Sequence, residues 1–321
     1  MRNPLSRLFV SLLAAMPLAA LAASDFPSRP VKLVVPFAAG GPADLVARQV
    51  ADRWSSKLGQ PVLVENQGGG MGVPAFNTVV RSAADGHTLL FAASGNVVAQ
   101  PILNETEDDL KKLAPVSLVS TSPHVLVVTT KLPIESVKDL ISYAKSNPGE
   151  LNFGSAGVGG VAHLGMEMLK SMTKTDIVHV PYRGTSQVTK DLISGEVHAL
   201  FSSLPSLKPL MDTGKIRAIG LTAKSDSADA KGIPTIDEAG VPGFEYTTWY
   251  GLYAPAGTPQ DVIGQLNSTL REVLTDKALR DKLSSQGVSL EPSTPAELKS
   301  LMDTEAAKWR QVIREAHISI K

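Results

Sequence analysis

The sequence has no cysteine and no excess of charge of either sign. The absence of cysteine from 321 residues excludes a disulfide, a thiol nucleophile and a thiolate metal site. Lysine and arginine together number 31, and so do aspartate and glutamate, which gives a formal net charge of zero. A chain with this balance has no polybasic surface that would indicate nucleic acid or an acidic membrane as partner. We therefore expect no nucleic-acid partner.

Most catalytic sequence motifs are also missing. The segment GSAGVGG has glycines at 154, 157, 159 and 160, which is not the G-x-G-x-x-G spacing of a dinucleotide-binding loop. The chain has no phosphate-binding loop ending in Gly-Lys-Ser/Thr, no HExxH and no G-x-S-x-G, and its histidines lack short metal-ligand spacing. A catalytic set of Ser, His and Asp stays open, because such residues meet in space. We expect a protein that is not an enzyme and needs no cofactor and no metal.

No apolar run in the chain is long enough for a spanning helix of about 20 residues. The longest candidate, residues 8–19, follows Arg2 and Arg7, contains Pro17 and ends at Ala20-Leu21-Ala22. A basic segment, a short apolar run and an A-x-A motif are typical of a secretory signal peptide. We expect residues 1–23 to be removed by cleavage near Ala22 and Ala23. The mature chain would then be exported, with 29 basic against 31 acidic residues.

Strand-like and helix-like segments alternate along the chain. The buried strand 31–35 leads through two glycines to a helix that begins near Pro42, and the alternation restarts at about residue 122. This order predicts parallel sheets covered by helices on both faces. The chain is long enough for two such units, so we expect an α/β protein with two domains.

Four predicted strands end in loops of small residues. These loops cover residues 36–44, 93–96, 154–160 and 181–187, and three of them lead into a predicted helix N-terminus. Unpaired amides at a helix N-terminus favour an anion, and ligands of open α/β sheets bind at the carboxyl ends of the strands. If the two halves face each other, these loops converge on one cavity. A carboxylate there would accept several amide hydrogen bonds and favour closure of the two halves.

Several loop side chains have both a structural and a ligand-binding interpretation. Asp44 either stabilises the first turn of its helix or accepts an ammonium group or a bridging water in the pocket. Phe37 and Tyr182 either pack against neighbouring side chains or form an apolar wall of the pocket. Arg183 is either solvated or pairs with a second carboxylate.

The hydroxyl groups and the helix histidine are interpreted in the same way. Ser155 and Thr185 can cap their helices, contact the ligand, or do both with the same atom. His163 lies on an apolar helix face, where we favour a packed, hydrogen-bonded histidine over a catalytic base.

Several segments together resemble the substrate-binding proteins of tripartite tricarboxylate transporters, the Bug family. The resemblance covers essentially all of the mature chain in order. The segments that carry it include PSRPVKLVVPFAAGGPADLVAR (27–48), VENQGGG (64–70), DGHTLLFA (85–92), NFGSAGVGGVAHLGMEML (152–169), VHVPYRGTSQVTKDLISGEV (178–197) and IPTIDEAGVPGFEYTTWYGLYAPAGTP (233–259).

This resemblance implies a two-lobed periplasmic binding protein of a type II-like α/β fold. Each lobe would be a mainly parallel sheet flanked by helices, and the chain would cross between the lobes near residues 120 and 248. Lobe 1 would then comprise residues 24–121 and 248–321, and lobe 2 residues 122–247.

The resemblance also implies which residues contact the ligand. In the family, the loop after the first strand and the loop that resembles PYRG hold a carboxylate mainly by backbone amides and ordered waters. Met71, Val73 and Pro42 depart from the family pattern, so the ligand of a relative is not transferred to this chain. The expected ligand-binding residues are Phe37, Ala38, Ala39, Gly40, Gly41, Asp44, Ser94, Asn96, Ser155, Ala156, Gly157, Tyr182, Arg183, Gly184, Thr185 and Ser203.

We therefore expect a monomeric periplasmic receptor that captures a small organic carboxylate between its lobes and delivers it to inner-membrane transporter subunits. Two alternatives stay open: a ligand-sensing receptor for a signalling partner, and an exported hydrolase. The residues do not distinguish a dicarboxylate, a tricarboxylate, an amino acid or an aromatic acid as the ligand.

Overall fold

The computed structural model describes residues 26–182 and 185–318, which form an α/β fold around a mixed sheet. The expected signal peptide and residues 183 and 184 lie outside the described residues. The strands of the described ranges are β1 (Val31–Val35), β2 (Val62–Asn66), β3 (Thr88–Ala93), β4 (Leu113–Thr129), β5 (Asn152–Ser155), β6 (Val178–Pro181), β7 (Ala199–Ser203), β8 (Ile216–Leu221), β9 (Thr247–Pro255) and β10 (Ser289–Leu290). The helices are α1 (Pro42–Leu58), α2 (Val73–Val80), α3 (Gln100–Leu103), α4 (Val137–Ser146), α5 (Val161–Thr173), α6 (Thr185–Ser194), α7 (Leu204–Met211), α8 (Gln260–Leu274), α9 (Lys277–Ser284) and α10 (Pro295–Glu315).

Two groups of parallel strands lie at opposite ends of the sheet. In the first lobe β1 pairs with β2 and β3, and in the second lobe β5 pairs with β6 and β7. The strand order is β2-β1-β3-β9-β4-β7-β5-β6, with β8 and β10 both paired to β4. The connecting strands β4 and β9 run antiparallel to their neighbours. The predicted two-lobed α/β fold with two crossings is confirmed.

β4 is one continuous strand, although the sequence predicts two. Residues 116–119 and 124–129 each have the composition of a short strand, and prolines stand at 115 and 123. Because proline lacks a backbone N–H, it normally disrupts a sheet ladder. The register with β9 shifts between Pro115 and Ser117 and again between Leu118 and Ser120, so the ladder continues past Pro115 with local irregularity.

Helix α1 follows directly from its sequence pattern. Val46, Val50 and Trp54 recur at helical spacing and are buried against the first lobe. The Trp54 Nε1–H donates to Thr269 Oγ1 on α8 at 2.9 Å, so the indole joins two helices of this lobe. The helix ends at Gly59, whose φ of 71° is a left-handed conformation that glycine adopts without steric cost.

Helix α10 packs against both lobes. It starts at a capping box formed by Thr294 and Glu297, and its Trp309 is fully buried. The Trp309 ring meets Tyr246 edge to face at 6.0 Å and shares one hydrophobic cluster with Leu90 of the first lobe and Phe153 of the second. The C-terminal helix therefore ties the two lobes together. None of the helices in the described ranges is long and apolar enough to cross a membrane.

Three helical segments are not predicted from the sequence. Gly95–Ala99 forms a π-helical turn that continues into α3, α7 follows β7 directly, and α9 follows α8. Pro205 stands in the first turn of α7, where its missing N–H needs no partner. Pro209 also lies inside α7, and a proline at that position normally ends a helix.

The position of Trp309 generates a stability prediction. Trp309→Ala should lower the free energy of unfolding by about 3–5 kcal/mol, because it leaves a cavity between the lobes and removes the hydrogen bond to Glu305. Chemical denaturation followed by circular dichroism measures this loss. Arg314→Ala on the exposed side of α10 is the control and should change the same free energy by less than about 0.5 kcal/mol. Equal losses for the two variants would contradict the bridging role of Trp309.

Candidate functional site

A cavity of about 1030 Å³ lies between the two lobes. The strand ends of both lobes and the middle of the connecting strands form its wall. The lining residues are Phe37, Gly40, Pro42, Leu45, Val46, Met71, Ala93, Gly95, Asn96, Gln100, Ser122, His124, Ser155, Ala156, Gly157, Val158, Gly159, Gly160, Val161, Ala162, His163, Leu200, Phe201, Ser202, Ser203, Pro205, Ser206, Thr248, Tyr250, Gln286 and Val288.

The register of β4 and β9 explains why the strand ends of both lobes reach this cavity. The end of β3 pairs with β9, and the end of β7 pairs with β4 immediately after the β4–β9 ladder stops. Side chains two residues apart on a strand share a face, so each connecting strand presents two neighbouring positions to the cavity. The cavity-lining register pairs are Ala93 with Tyr250, Ser122 with Thr248, and His124 with Ser203.

Three helices begin at the cavity wall. The N-cap residues of α1, α5 and α7 are Gly41, Gly160 and Ser203, and none of them has a side-chain cap hydrogen bond. The first amides of a helix have no partner within the helix, and the helix dipole adds partial positive charge there. One of these helices belongs to the first lobe and two to the second. An anion in the cavity would therefore find backbone donors on both sides.

Asp44 holds the entrance loop of α1 and does not line the cavity. Its side chain is 2% exposed, accepts a hydrogen bond from the Gly40 amide at 2.8 Å and lies 2.9 Å from Arg48 Nε. Burial alone would raise the pKa of this carboxyl, but hydrogen bonds from Arg48, Gly40 and Asn66 lower the pKa below its ordinary value. Of the two interpretations of Asp44, this geometry matches the structural one. The Gly40 amide of this loop therefore already has an acceptor within the protein.

The glycine loop of the second lobe is fixed by Ser155 and His179. Ser155 Oγ lies 2.7 Å from His179 Nε2 and 3.0 Å from the carbonyl oxygen of Gly157, and it accepts the Gly157 N–H at 3.2 Å. The hydroxyl is 1% exposed. Its hydrogen-bonding capacity is used to shape residues that line the cavity.

His163 supports the same loop from α5. Its Nδ1 accepts the Gly159 N–H at 3.1 Å, and its ring stacks on His179 with centroids 3.9 Å apart. Burial lowers the pKa of His163 to about 3, and repulsion from Lys170 and, at low pH, from a protonated His179 adds to this effect. Burial and Lys170 lower the pKa of His179 to about 4. Both imidazoles are therefore neutral near pH 7, as expected for packed histidines.

The two lobes touch beside the cavity. Gly159 has a φ of 75°, and a Cβ at this position would overlap Leu103 Cδ1 at the end of α3. Only glycine allows this approach without displacing Leu103. On the other side of the same segment, Asn96 Nδ2 donates to the carbonyl oxygen of Met71 at 3.2 Å. The π-helical turn and α3 therefore connect the loop at Met71 with the loop at Gly159.

The described wall of the cavity has no charged side chain. Among its described lining residues there is no Lys, Arg, Asp or Glu. Burial lowers the pKa of His124 to about 4, so this imidazole is also neutral near pH 7. Within residues 26–182 and 185–318 no group of three His, Cys, Asp or Glu side chains is arranged to hold a metal ion. The donors on the described wall are therefore backbone amides and neutral side chains.

The structure brings seven of the expected ligand-binding residues to the cavity and places six elsewhere. The seven are Phe37, Gly40, Asn96, Ser155, Ala156, Gly157 and Ser203. The six described residues that are not among the lining residues are Ala38, Ala39, Gly41, Asp44, Ser94 and Tyr182. Tyr182 donates its hydroxyl hydrogen to Asp191 Oδ2 at 2.6 Å and packs on the second lobe. Arg183 and Gly184 lie outside the described residues; Thr185 begins α6, and its side chain is not described.

Other lining residues are not identified from the sequence. His124, Thr248 and Tyr250 lie in strands that the sequence predicts, but only the register shows that they face the cavity. Gln100 and Ser206 lie in α3 and α7, in segments that the sequence does not predict to be helical. No local pattern in residues 247–254 distinguishes the positions that face the cavity.

Residues 46–318 match the family model described as "Tripartite tricarboxylate transporter family receptor". Among solved structures, Rpa4515 of R. palustris with adipate superposes with a TM-score of 0.81 at 36% identity, covering 92% of this chain and 99% of that one. The periplasmic binding protein BugD superposes with a TM-score of 0.77 at 29% identity, covering 92% of this chain and 99% of that one. MatC from Rhodopseudomonas palustris with bound malate superposes with a TM-score of 0.76 at 32% identity, covering 90% of this chain and 100% of that one.

The buried histidine pair generates a pH prediction. An unfolded histidine has a pKa near 6.5, whereas folding lowers the pKa of His163 to about 3. Between these values the unfolded chain binds a proton that the folded chain does not, so the free energy of unfolding falls as pH falls. In His163→Gln the free energy of unfolding should decrease less between pH 7 and pH 4 than in the unaltered protein. Urea unfolding at several pH values measures this free energy.

The exposed His317 supplies the matched control for this experiment. His317→Asn suits the positive φ of 51° at this position and should leave the pH dependence of stability as in the unaltered protein. If His163→Gln and the unaltered protein lost stability in parallel, the assignment of His163 as a buried neutral group would be wrong.

Proposed function

The chain belongs to the tripartite tricarboxylate transporter receptor family, and on that premise we propose that it captures a small organic carboxylate between its lobes. It would deliver this ligand to the inner-membrane subunits of a tripartite transporter. The observation that carries the proposal is the cavity without charged side chains on its described wall, at which three helices begin. The solved relatives with adipate and malate support a carboxylate as the ligand.

Backbone amides supply the recognition in this proposal. A carboxylate has about four acceptor positions, and hydrogen bonds to a charged group contribute about 1.5–3 kcal/mol each. The first amides of α5, those of Val161 and Ala162, belong to residues that line the cavity and have no partner within the helix. In the first lobe the corresponding amides of α1 are those of Ala43 and Asp44, which follow the lining residue Pro42. No metal or cofactor takes part.

Contacts from both lobes couple binding to closure. A ligand held by both lobes stabilises the closed arrangement over any open one by its difference in affinity for the two. We place the lobe boundaries near residues 121 and 247. In support, β4 pairs with β9 up to Pro123 and with β7 from His124 onward, and β9 begins at Thr247.

Export completes the proposed role. We propose that residues 1–23 are removed and that the mature chain acts as a monomer in the periplasm. The periplasmic description of the solved relative BugD supports this location.

One contact in the cavity would favour an exported hydrolase instead. Ser155 Oγ and His179 Nε2 are 2.7 Å apart, the spacing of a serine nucleophile and its base. The pKa of His179, lowered to about 4 by burial and Lys170, makes it a weak base at neutral pH. Ser155 is also buried and hydrogen-bonded within its own loop. Positioning the loop is the role that this pair fits better.

The proposal predicts stabilisation by carboxylates. At about 100 times its dissociation constant a cognate carboxylate should raise the free energy of unfolding by about 2.7 kcal/mol, because only the folded protein binds it. Differential scanning fluorimetry against a panel of di- and tricarboxylates, amino acids and aromatic acids measures the shift. The uncharged diamides of the same acids are the controls and should produce none. A panel without any stabilising carboxylate would contradict the proposal.

Turnover separates the receptor from the hydrolase. We expect stoichiometric binding without hydrolysis of p-nitrophenyl acetate or other generic esters. Hydrolysis that Ser155→Ala abolishes and Ser202→Ala retains would establish the enzyme alternative. Ser202 is the control because it lines the same cavity and has no histidine partner in the described residues.

A further inference from the structure

Most polar side chains of the cavity wall already have a hydrogen-bond partner in the protein. Ser122 Oγ donates to the Gly287 carbonyl oxygen at 2.9 Å, and His124 Nε2 lies 3.0 Å from Thr248 Oγ1. Ser122, His124 and Thr248 therefore have less hydrogen-bonding capacity left for a ligand hydroxyl. The lining polar side chains that have a hydrogen-bond partner in the protein are Asn96, Gln100, Ser122, His124, Ser155, His163, Ser202, Ser203, Ser206, Thr248 and Gln286.

The same wall leaves large apolar side chains uncovered. Leu45 is 49% exposed and Met71 is 51% exposed, although both line the cavity. Phe37 lines the same cavity and meets Tyr250 edge to face, with the ring centroids 6.4 Å apart. Apolar surface of this kind inside a concave site is typical of a place that a ligand covers.

The cavity is also large for a short diacid. Pockets that enclose drug-sized ligands measure about 300–1,000 Å³, and this one measures about 1030 Å³. A four-carbon ligand would leave the apolar wall in contact with water. A longer hydrocarbon body would displace that water and bury the exposed parts of Leu45 and Met71.

From these observations we infer that the ligand is a carboxylate of about six or more carbons in total, with an apolar body between or beyond its carboxyl groups, and that Met71 determines this specificity. The inference rests on the proposed function and narrows it. The carboxylate faces the backbone donors at the helix ends, and the hydrocarbon body lies against Phe37, Leu45 and Met71. The apolar body is either a straight hydrocarbon chain or an aromatic ring, because both present apolar surface to these side chains.

Isothermal titration calorimetry with succinate, glutarate, adipate and pimelate tests the apolar body. Each added methylene should tighten binding about fourfold, because each buries about one more CH₂ group. Malate differs from succinate by one hydroxyl and should bind no more tightly. Terephthalate tests an aromatic body. If terephthalate binds more tightly than pimelate, the apolar body of the ligand is a ring; if it binds more weakly, the body is a straight chain.

Variants of Met71 test its role. Met71→Ala should weaken pimelate binding about tenfold and change succinate binding by less than about twofold, because only the longer body reaches this side chain. Met71→Leu should restore pimelate affinity, since it returns a side chain of similar volume. Met172→Ala is the matched control, because Met172 is 41% exposed and does not line the cavity.

The outcomes separate this inference from the proposed function. If the affinity stays flat or falls with chain length, or if malate binds more tightly than pimelate, the ligand does not have a long apolar body. The proposal that the protein is a carboxylate receptor would still hold. Equal losses for Met71→Ala and Met172→Ala overturn the role of Met71. Binding of adipamide as tight as that of adipate overturns the carboxylate itself.

Discussion

The antiparallel pairing of β4 with β9 is the constraint on which the rest of the structure depends. The ladder runs from Leu113 opposite Pro255 to Pro123 opposite Thr247, and both lobes are attached to it. β3 joins one strand of the ladder and β7 continues from the other, so the carboxyl ends of strands from both lobes point to the middle of the same pair. The helices that follow these strands therefore begin around one space. The position of the cavity between the lobes therefore follows from the register in which β4 pairs with β9.

The chemistry of the cavity follows from what this arrangement buries. A charged side chain on a buried wall would need its own partner, whereas a helix N-terminus offers donors that carry no full charge. The described wall accordingly contains neutral histidines, hydroxyl groups and glycines, and the ionised Asp44 does not line it but pairs with Arg48 and the Gly40 amide. The polar side chains fix the loops to one another. The apolar side chains and the first amides of the helices are left for a ligand.

Two contacts join the lobes. Trp309 on α10 shares a hydrophobic cluster with both lobes, and Gly159 packs closely against Leu103 beside the cavity. The first contact lies in a buried core and resists separation, because core packing is dense and interdigitated. The second is a local contact that depends on the absence of a Cβ at Gly159.

The sequence predicts the local parts of this site and misses the non-local ones. Loops such as 36–44 and 154–160 could be recognised because small residues between a strand and a helix act over a few positions. The places of Thr248 and Tyr250 depend on pairing with residues more than a hundred positions away, which no local pattern encodes. Helix α7 was missed because Pro209 acts locally as a breaker, while packing of Leu207 in the core outweighs that preference.

The central claim is that backbone donors of both lobes hold one anion. Selective ¹⁵N labelling of alanine with an adipate titration tests it most directly, because an alanine is the second residue of α1 and another is the second residue of α5. The account predicts downfield shifts of the amide protons of Ala43 in the first lobe and of Ala162 in the second, with those of Ala51 and Ala144 in helix interiors unchanged. Bound adipate that shifts Ala43 or Ala162 alone, or neither, would contradict it.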